Sequence, residues 1–150
     1  MDSIDKRILR ILQQDSTLSL NEIAEQVNLS STPCWKRIKR LEQQGVIKSR
    51  VALLDAAKLE LGVSVFVHIK TQYHDSAWLE NFTETVNALD EVVESYRMAG
   101  EWDYLLRVVV KDIAAFDLFY KKLVNRVNGL TDVTSSFSME EIKFTTELPI

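Results

Sequence analysis

Apolar side chains recur every three or four positions through residues 1–45, which is the period of an amphipathic α-helix. The pattern breaks at residues 15–17 and again near Asn28, so it predicts three short helices. Asp2 or Ser3 can cap the first helix, because a short side-chain oxygen accepts a free amide of the first turn. The apolar face of that helix is formed by Ile4, Ile8, Ile11 and Leu12.

Local end signals define the next two helices. Ser19 and Glu22 have the Ser-x-x-Glu spacing of a capping box before the second helix. A hydroxyl side chain from residues 30–32 can cap the third helix, Pro33 suits its first turn, and Gly45 ends it. The second and third helices are joined by Asn-Leu-Ser, a turn of helix-turn-helix length. Residues 46–54 then read as one extended segment or as two strands of a small wing.

From Val63 the apolar period changes to two, which is typical of a half-buried strand. The pattern predicts the order strand, helix, strand, strand, helix, strand, with a hairpin at residues 99–101. This is the order of the ferredoxin-like fold, an antiparallel sheet with helices on one side. The predicted class is therefore α+β, with a helix-turn-helix domain at 1–54, a linker at 55–62 and a ferredoxin-like domain at 63–150.

The two faces of the predicted sheet differ in composition. One face is expected under the helices and carries Trp102, Tyr104, Leu106, Val108 and Val110. The other face is mixed and carries Asp103, Leu105, Arg107 and Val109, joined in a suitable register by Thr134, Ser136 and Ser138. An open face of this kind is either solvated or an oligomer interface. We favour the interface, because Leu105, Val109 and Phe66 are otherwise exposed.

Composition narrows the possible functions. The single cysteine, Cys34, excludes an internal disulfide and a cysteine-based metal cluster, which fits a reducing cytosol. No apolar run approaches the roughly 20 residues needed to cross a bilayer, and residues 1–20 lack a signal-peptide pattern. No acid or cysteine is placed to complete a metal site or a catalytic triad with His68 or His74. We therefore expect a cytoplasmic protein with no metal or cofactor and no enzymatic activity.

The net charge of −4 argues against nucleic acid, but the charges are unevenly distributed. Residues 1–60 hold ten basic against eight acidic residues, whereas residues 61–150 hold eight against fourteen. On the third helix Cys34, Ile38 and Leu41 form an inward stripe, and Lys36, Arg37, Lys39 and Arg40 fan across the remaining surface. Such a helix suits the major groove of DNA. Its predicted contacts are completed by Ser30, Ser31, Thr32, Lys48 and Arg50. The alternative is an ordinary solvated basic helix.

Two motifs resemble a known family, the Lrp/AsnC (feast/famine) transcriptional regulators. The first combines Asp2, Asp5, Ile8 and Leu9 with the segment Leu29-Ser30-x-Thr32-Pro33-Cys34-x-x-Arg37-Ile38-x-x-Leu41-Glu42-x-x-Gly45-Val46-Ile47. The second combines residues 100–106, a Gly-x-x-Asp-aromatic-Leu segment, with the last strand at 135–143. The match runs in order over nearly the whole chain.

The resemblance implies a winged helix-turn-helix joined to a ferredoxin-like effector domain. It also implies homodimers formed through the sheets, often assembled into octamers, with amino-acid effectors bound between dimers. The effector residues that it implies are Met98, Gly100, Glu101, Asp103, Tyr104, Thr134, Ser135 and Ser136. A carboxylate such as Asp103 suits the ammonium group of an amino acid, and loop amides or hydroxyls suit its carboxylate. The alternatives are a hairpin role for Gly100 and a salt bridge for Asp103.

Together these features predict a sequence-specific transcriptional regulator that binds double-stranded DNA and responds to an amino acid. The first alternative is a nucleoid-like architectural protein that binds DNA without a ligand. A small enzyme is the second, since ferredoxin-like dimers host several chemistries. No nucleophile–base pair, metal cluster or phosphate-binding loop is visible in the sequence to support it.

Overall fold

Three helices build the first of two units in the computed structural model, which describes residues 1–150. They are α1 (Ser3–Gln14), α2 (Leu20–Gln26) and α3 (Ser31–Gln43). Two capping boxes define where α1 and α2 begin: Asp2 exchanges hydrogen bonds with Asp5, and Ser19 exchanges them with Glu22. Gly45 follows α3 with φ of +70°, a left-handed conformation that ends a helix at little cost for glycine. The predicted helices are confirmed, and so are their end signals, except that Ser30 at the start of α3 makes no side-chain capping bond.

The core of this unit is the apolar stripe predicted from helical spacing. Ile8, Ile23 and Cys34 are at most 1% exposed and pack together with Ala24, Val27 and Ile38. Burial raises the pKa of the Cys34 thiol, and the charge of Arg37 opposes this shift only in part. Cys34 is therefore a packing residue, as its position on the inward stripe predicted.

Residues 46–54 contain no strand, so of the two predicted alternatives the structure has the single extended segment and not the two-stranded wing. The amides of Val46 and Ile47 both donate to the carbonyl of Leu41, at 3.0 and 3.2 Å, and the chain then continues without a ladder partner. A strand needs a paired neighbour, and this unit supplies none. The predicted linker contains a short 3₁₀ turn at Ala57–Leu59.

The last nine residues belong to the first unit, which comprises 1–53 and 142–150, whereas we predicted them within the second domain. Gln13 holds them on α1: its Oε1 accepts the N–H of Leu148 at 2.6 Å, and its Nε2 donates to the Leu148 carbonyl at 3.3 Å. Arg10 Nε also donates to the carbonyl of Ile150 at 2.6 Å. These polar contacts between distant sequence positions leave no signal in the hydrophobic pattern.

The second unit, residues 54–141, has the predicted βαββαβ order. Its elements are β1 (Val63–Thr71), α4 (Ser76–Asn87), β2 (Val92–Arg97), β3 (Tyr104–Val110), α5 (Ile113–Arg126) and β4 (Leu130–Phe137). The strands form one antiparallel sheet in the order β2-β3-β1-β4. Alternate residues of β1 and β3 are buried, and they form one core with aromatic residues of α4 and α5 such as Phe82 and Phe119. The ferredoxin-like prediction is confirmed.

Trp102 is the exception to the predicted facing of β3. The strand begins only at Tyr104, so Trp102 lies in the preceding loop and does not continue the alternation. Its ring centroid lies 5.4 Å from that of His68, and Lys70 Nζ lies 4.8 Å from it. Because His68 and Lys70 alternate with the buried residues of β1, Trp102 covers the open face of the sheet and not the helix-covered one.

Candidate functional site

The inward stripe of α3 holds this helix on α1 and α2. Cys34, Ile38 and Leu41 are 5% exposed or less, as predicted from their spacing. Trp35 projects away from the stripe and is 49% exposed. The polar surface of α3 is therefore the surface left for a partner.

Arg37 does not fan outward with the other cations of α3, and the expectation that it would is wrong. Its Nη1 donates to Asp2 Oδ2 at 2.7 Å and to Asp5 Oδ1 at 2.8 Å, and its side chain is 24% exposed. Arg40 Nη2 donates to the other oxygen of Asp5, Oδ2, at 2.7 Å, but the Arg40 side chain stays 49% exposed. Two arginines of α3 thus pair with two acids at the start of α1.

Asp5 is the buried centre of this cluster, with a side chain only 1% exposed. Burial alone raises the pKa of its carboxyl, but the Asp2 amide, Arg37 and Arg40 outweigh burial and lower the pKa overall. The amide of Asp5 and then Arg37 lower the pKa of Asp2 to about 2. Removing one partner from a buried ion pair generally costs about 3–5 kcal/mol, so Asp5 depends on its arginines.

The remaining cations of the predicted DNA surface fall into two groups. Lys39 pairs with Glu42 at 2.7 Å, and Arg50 lies 3.4 Å from the same carboxylate. Hydrogen bonding from Lys39 lowers the pKa of Glu42. Lys36 and Lys48 are exposed and make no ion pair within the chain. These two lysines have the positive charge most available to a phosphate.

The three predicted hydroxyl residues cluster at the start of α3. Ser30 is the N-cap but its side chain makes no capping bond, and Thr32 is exposed. Ser31 Oγ donates to Asn21 Oδ1 at 2.5 Å, which ties the start of α3 to α2. This leaves the amide N–H₂ of Asn21 beside the helix start, a donor that we did not predict. Its only sequence signal is its place on the polar side of the second helix.

The predicted effector loop lies between β2 and β3. Gly100 has φ of +143°, a conformation that side-chain-bearing residues rarely adopt, so its hairpin role is confirmed. The loop closes through a 2.8 Å hydrogen bond from the Met98 amide to the Asp103 carbonyl. Met98 is 43% exposed and Glu101 is also exposed, with Glu101 3.7 Å from Lys70 Nζ. Each of these side chains is accessible in the single chain.

Asp103 has a structural partner. Its Oδ2 accepts the backbone N–H of Thr71 at 2.9 Å, at the irregularity that ends β1. Thr71 Oγ1 in turn donates to the carbonyl of Gly129 at 3.1 Å. The Asp103 carboxylate therefore joins the β2–β3 loop to the end of β1, and through Thr71 to the turn before β4.

Two predicted effector residues lie on the other face of the sheet. Tyr104 is 5% exposed, with its ring centroid 4.6 Å from that of Phe82, and burial raises the pKa of its phenol. Ser135 lies opposite the buried Val67, so it shares the helix-covered face. Strand alternation therefore separates Tyr104 and Ser135 from the exposed Thr134 and Ser136. Tyr104 packs in the core and Ser135 lies half-buried on the same face, while their effector role stays a prediction.

The open face brings Thr134 closer to the loop than Ser136. Thr134 lies opposite His68, and His68 lies opposite Leu105 on β3. Neighbouring strands are about 4.8 Å apart, so Thr134 is about 10 Å from Leu105 across the sheet. Ser136 lies two residues further from the loop, opposite Phe66. His68, Lys70 and Trp102, which we did not predict as site residues, lie between the loop and Thr134.

Half-buried side chains and the exposed Tyr96 cover the rest of the open face. Arg107 lies opposite Phe66 and donates from Nε to Glu94 Oε1 at 3.0 Å. Tyr96 is 50% exposed, and its hydroxyl donates to Glu94 Oε2 at 3.1 Å. Leu105 and Val109 flank this pair in β3. The register confirms that the predicted apolar residues share one face with Thr134 and Ser136, whereas Ser138 lies beyond the end of β4.

A cavity of about 410 Å³ lies elsewhere, between the end of α5 and the start of β4. Its lining includes Tyr120, Val124, Asn128 and Asp132, and none of the predicted effector residues. Around the predicted effector site, Asp103 is half-buried, and Gly100 and Glu101 beside it are exposed. None of the five helices has the length and apolar character required to cross a bilayer.

Comparison with family models also divides the chain into two parts, although it places residues 142–148 with the second part. Residues 1–48 match the winged helix-turn-helix DNA-binding model, and residues 64–148 match the Lrp/AsnC ligand binding domain model. Together the two matches include every residue of both candidate surfaces except Arg50.

Known relatives match over the full chain. The DNA-binding transcriptional activator DecR of Escherichia coli is 57% identical over 150 residues, covering all of this chain and 99% of that protein. The crystal structure of an AsnC family transcriptional regulator from Agrobacterium tumefaciens is 56% identical, with a TM-score of 0.96 over 99% of this chain and 97% of that one. A transcriptional regulator from Neisseria meningitidis, solved in complex with L-Met, is 35% identical with a TM-score of 0.93, over 99% and 96% of the two chains. All three relatives are transcriptional activators or regulators.

Proposed function

Because this chain belongs to the Lrp/AsnC family of transcriptional regulators, we propose that it is a cytoplasmic, sequence-specific DNA-binding regulator controlled by an amino acid. The observation that carries the proposal is the pairing of two exposed surfaces, one on each unit. The first is the polar face of α3, with the unpaired Lys36 on the helix and the unpaired Lys48 shortly after it. The second is the open surface around the Gly100–Asp103 loop.

For DNA, we propose that α3 enters the major groove. Lys36, Lys39, Arg40, Lys48 and Arg50 then contact phosphates, and Ser30, Ser31 and Thr32 lie at the helix start, which contacts bases or phosphates in such complexes. Exposure supports this, since Lys36, Lys39, Arg40, Lys48 and Arg50 are all accessible. The helix start adds free backbone amides, which favour anions.

For the effector, we propose that a free amino acid binds at the β2–β3 loop. Asp103 uses only one carboxylate oxygen for the Thr71 amide, so the other is available to an ammonium group. Gly100 and Thr134 supply backbone and hydroxyl groups for the effector carboxylate. The L-Met complex of the Neisseria meningitidis relative supports the ligand class.

We further propose that the chain forms homodimers through the open sheet face and assembles into octamers. Phe66, Leu105 and Val109 are partly exposed on that face, and a second copy buries them. A second dimer then closes the site at Asp103, which is open in one chain. Effector binding stabilises one assembly over another and thereby changes the affinity for DNA.

The test is calorimetric titration of the protein with each of the twenty proteinogenic amino acids, followed by DNA binding with and without the amino acid that binds. The DNA probe is a short duplex selected by the protein from a random pool, compared with an unselected duplex of equal length. We expect one or a few amino acids to bind and to change the affinity for the selected duplex. If the protein binds both duplexes equally and no amino acid changes that binding, it is the architectural protein instead. If it does not bind DNA, the proposal is overturned.

A further inference from the structure

We infer that Asp5 and Arg37 are positioning residues that fix the orientation of α3 on α1, and that Arg37 is not a phosphate contact. The inference rests on the proposed function, because it divides the cations of α3 between DNA binding and positioning. It reassigns a residue that the sequence placed on the DNA surface. It also adds to the DNA-binding machinery an acid, Asp5, which makes no contact with DNA itself.

The geometry that carries the inference is the shared use of one buried carboxylate. Asp5 Oδ1 accepts Arg37 Nη1 at 2.8 Å, whereas its Oδ2 accepts both Arg40 Nη2 at 2.7 Å and the backbone N–H of Asp2 at 3.0 Å. The same Nη1 of Arg37 reaches Asp2 at 2.7 Å. The start of α1 is thus bonded to two points one helical turn apart on α3.

These bonds add something that apolar packing does not supply. The stripe Cys34, Ile38 and Leu41 sets the depth at which α3 lies on its neighbours, but apolar contacts are not directional. Charge-assisted hydrogen bonds are directional, so the Arg37 and Arg40 bonds resist rotation and sliding of α3. Reading bases requires that orientation, because base-edge contacts are sensitive to geometry.

Charge compensation explains why the roles of the cations differ. The six basic residues at 36–50 face three acids, Asp2, Asp5 and Glu42, which leaves a net charge of +3. A phosphate that bound Arg37 would have to displace the carboxylates of Asp2 and Asp5, and the Asp5 carboxylate is buried. Arg40 is more exposed and bonds one carboxylate through Nη2 alone, so it can hold Asp5 and reach a phosphate together.

The experiment compares Arg37→Gln with the matched control Lys36→Gln, which removes an adjacent cation that has no ion pair. Dissociation constants are measured for the selected and the unselected duplex at several salt concentrations. Each phosphate contact contributes about 0.9 to the slope of log affinity against log salt. We expect Lys36→Gln to reduce the steepness of this slope by about that amount and to weaken binding to both duplexes. We expect Arg37→Gln to leave the slope unchanged and to weaken binding to the selected duplex by about tenfold.

The second part of the experiment measures DNA binding by the Asp5→Asn variant. If Asp5 positions α3, this variant behaves like Arg37→Gln, and the double variant is no worse than either single one. If Arg37 instead binds phosphate, Asp5→Asn frees a cation and strengthens binding. The milder variant Asp2→Asn decides the question if circular dichroism shows that Asp5→Asn unfolds the helices. Asp2→Asn should reduce the preference for the selected duplex without changing the slope of log affinity against log salt.

The two hypotheses fail in different ways. A fall in slope for Arg37→Gln equal to that for Lys36→Gln overturns the positioning role and leaves the DNA-binding proposal intact. So does tighter binding by Asp5→Asn. If the wild-type protein binds neither duplex at any salt concentration, the proposed function itself fails, and the positioning role falls with it.

Discussion

The carboxylate of Asp103 accepts the backbone N–H of Thr71 at 2.9 Å, so the loop that carries the predicted effector site is bonded to the end of the neighbouring strand. The bond gives Asp103 a structural role beside its proposed ligand role. Substitutions that affect the two roles differently can therefore separate them.

Asp103→Asn should abolish amino-acid binding while the fold stays nearly as stable as wild type. Asparagine keeps an oxygen for the Thr71 amide but has no negative charge for an ammonium group. Asp103→Ala should also lose binding and should be less stable by about 1–3 kcal/mol, the usual cost of leaving a partly buried donor unpaired. Urea unfolding and calorimetry measure the two effects. Normal amino-acid binding by Asp103→Asn would place the effector site elsewhere.

The acids at the start of α1 should make the first unit sensitive to low pH. The pKa of Asp2 is lowered from 3.8 to about 2 and that of Asp5 is lowered as well. A carboxyl with a lowered folded-state pKa contributes stability above its unfolded pKa, and that stability is lost as pH falls through the folded value. For Asp2 the window therefore runs from about pH 4 down to about pH 2.

Urea unfolding of wild type and Asp2→Asn across this pH range tests the linkage. The wild type should be the more stable protein near neutral pH, and the difference in free energy of unfolding should shrink towards zero near pH 2. Glu25→Gln, at an exposed helix position with no ion pair, is the control and should show no such convergence. A difference that is independent of pH would contradict the role of the Asp2 charge.

Gly129→Ala should destabilise the second unit. Gly129 has φ of +78°, and an added Cβ would collide with the ring of Tyr73. A non-glycine residue in such a conformation costs about 1–3 kcal/mol, and the collision adds to that cost. Gly62→Ala is the matched control, because a Cβ added there would meet no atom within 4 Å and the φ of Gly62 is ordinary. Thermal unfolding should show a lower Tm for Gly129→Ala only; equal Tm values for both variants would refute the prediction.

Gln13→Ala should release residues 147–150 from α1. Both polar groups of the Gln13 amide bond the backbone of Leu148, whereas Gln14 only approaches Glu147 at 3.5 Å. Because these bonds are accessible to water, the loss of global stability should be about 1 kcal/mol or less. Hydrogen exchange followed by mass spectrometry should show faster exchange of the Leu148 amide in Gln13→Ala and no change in Gln14→Ala. Equal protection in all three proteins would show that the tail is held by other contacts.

Periodicity was sufficient to predict most of the fold. Helical spacing placed Ile8, Ile23 and Cys34 in one core, and strand alternation placed Leu106 and Val108 in the other, because burial follows the period of the backbone. End signals were equally informative, since capping boxes and a left-handed glycine satisfy helix ends through neighbours in sequence. Periodicity could not decide between one extended segment and a two-stranded wing at residues 46–54, because an extended segment needs a distant partner to become a strand.

For the candidate sites, the sequence by itself determined which residue types were available and on which element each one lies. It placed a basic helix in one half of the chain and a Gly-x-x-Asp loop in the other. Only the tertiary structure decided how those side chains are used. It paired Arg37 with Asp2 and Asp5, bonded Asp103 to Thr71, and placed Tyr104 and Ser135 on the buried face. The physical reason is that ion pairs and long-range hydrogen bonds depend on three-dimensional distance, whereas hydrophobic periodicity depends on local backbone geometry.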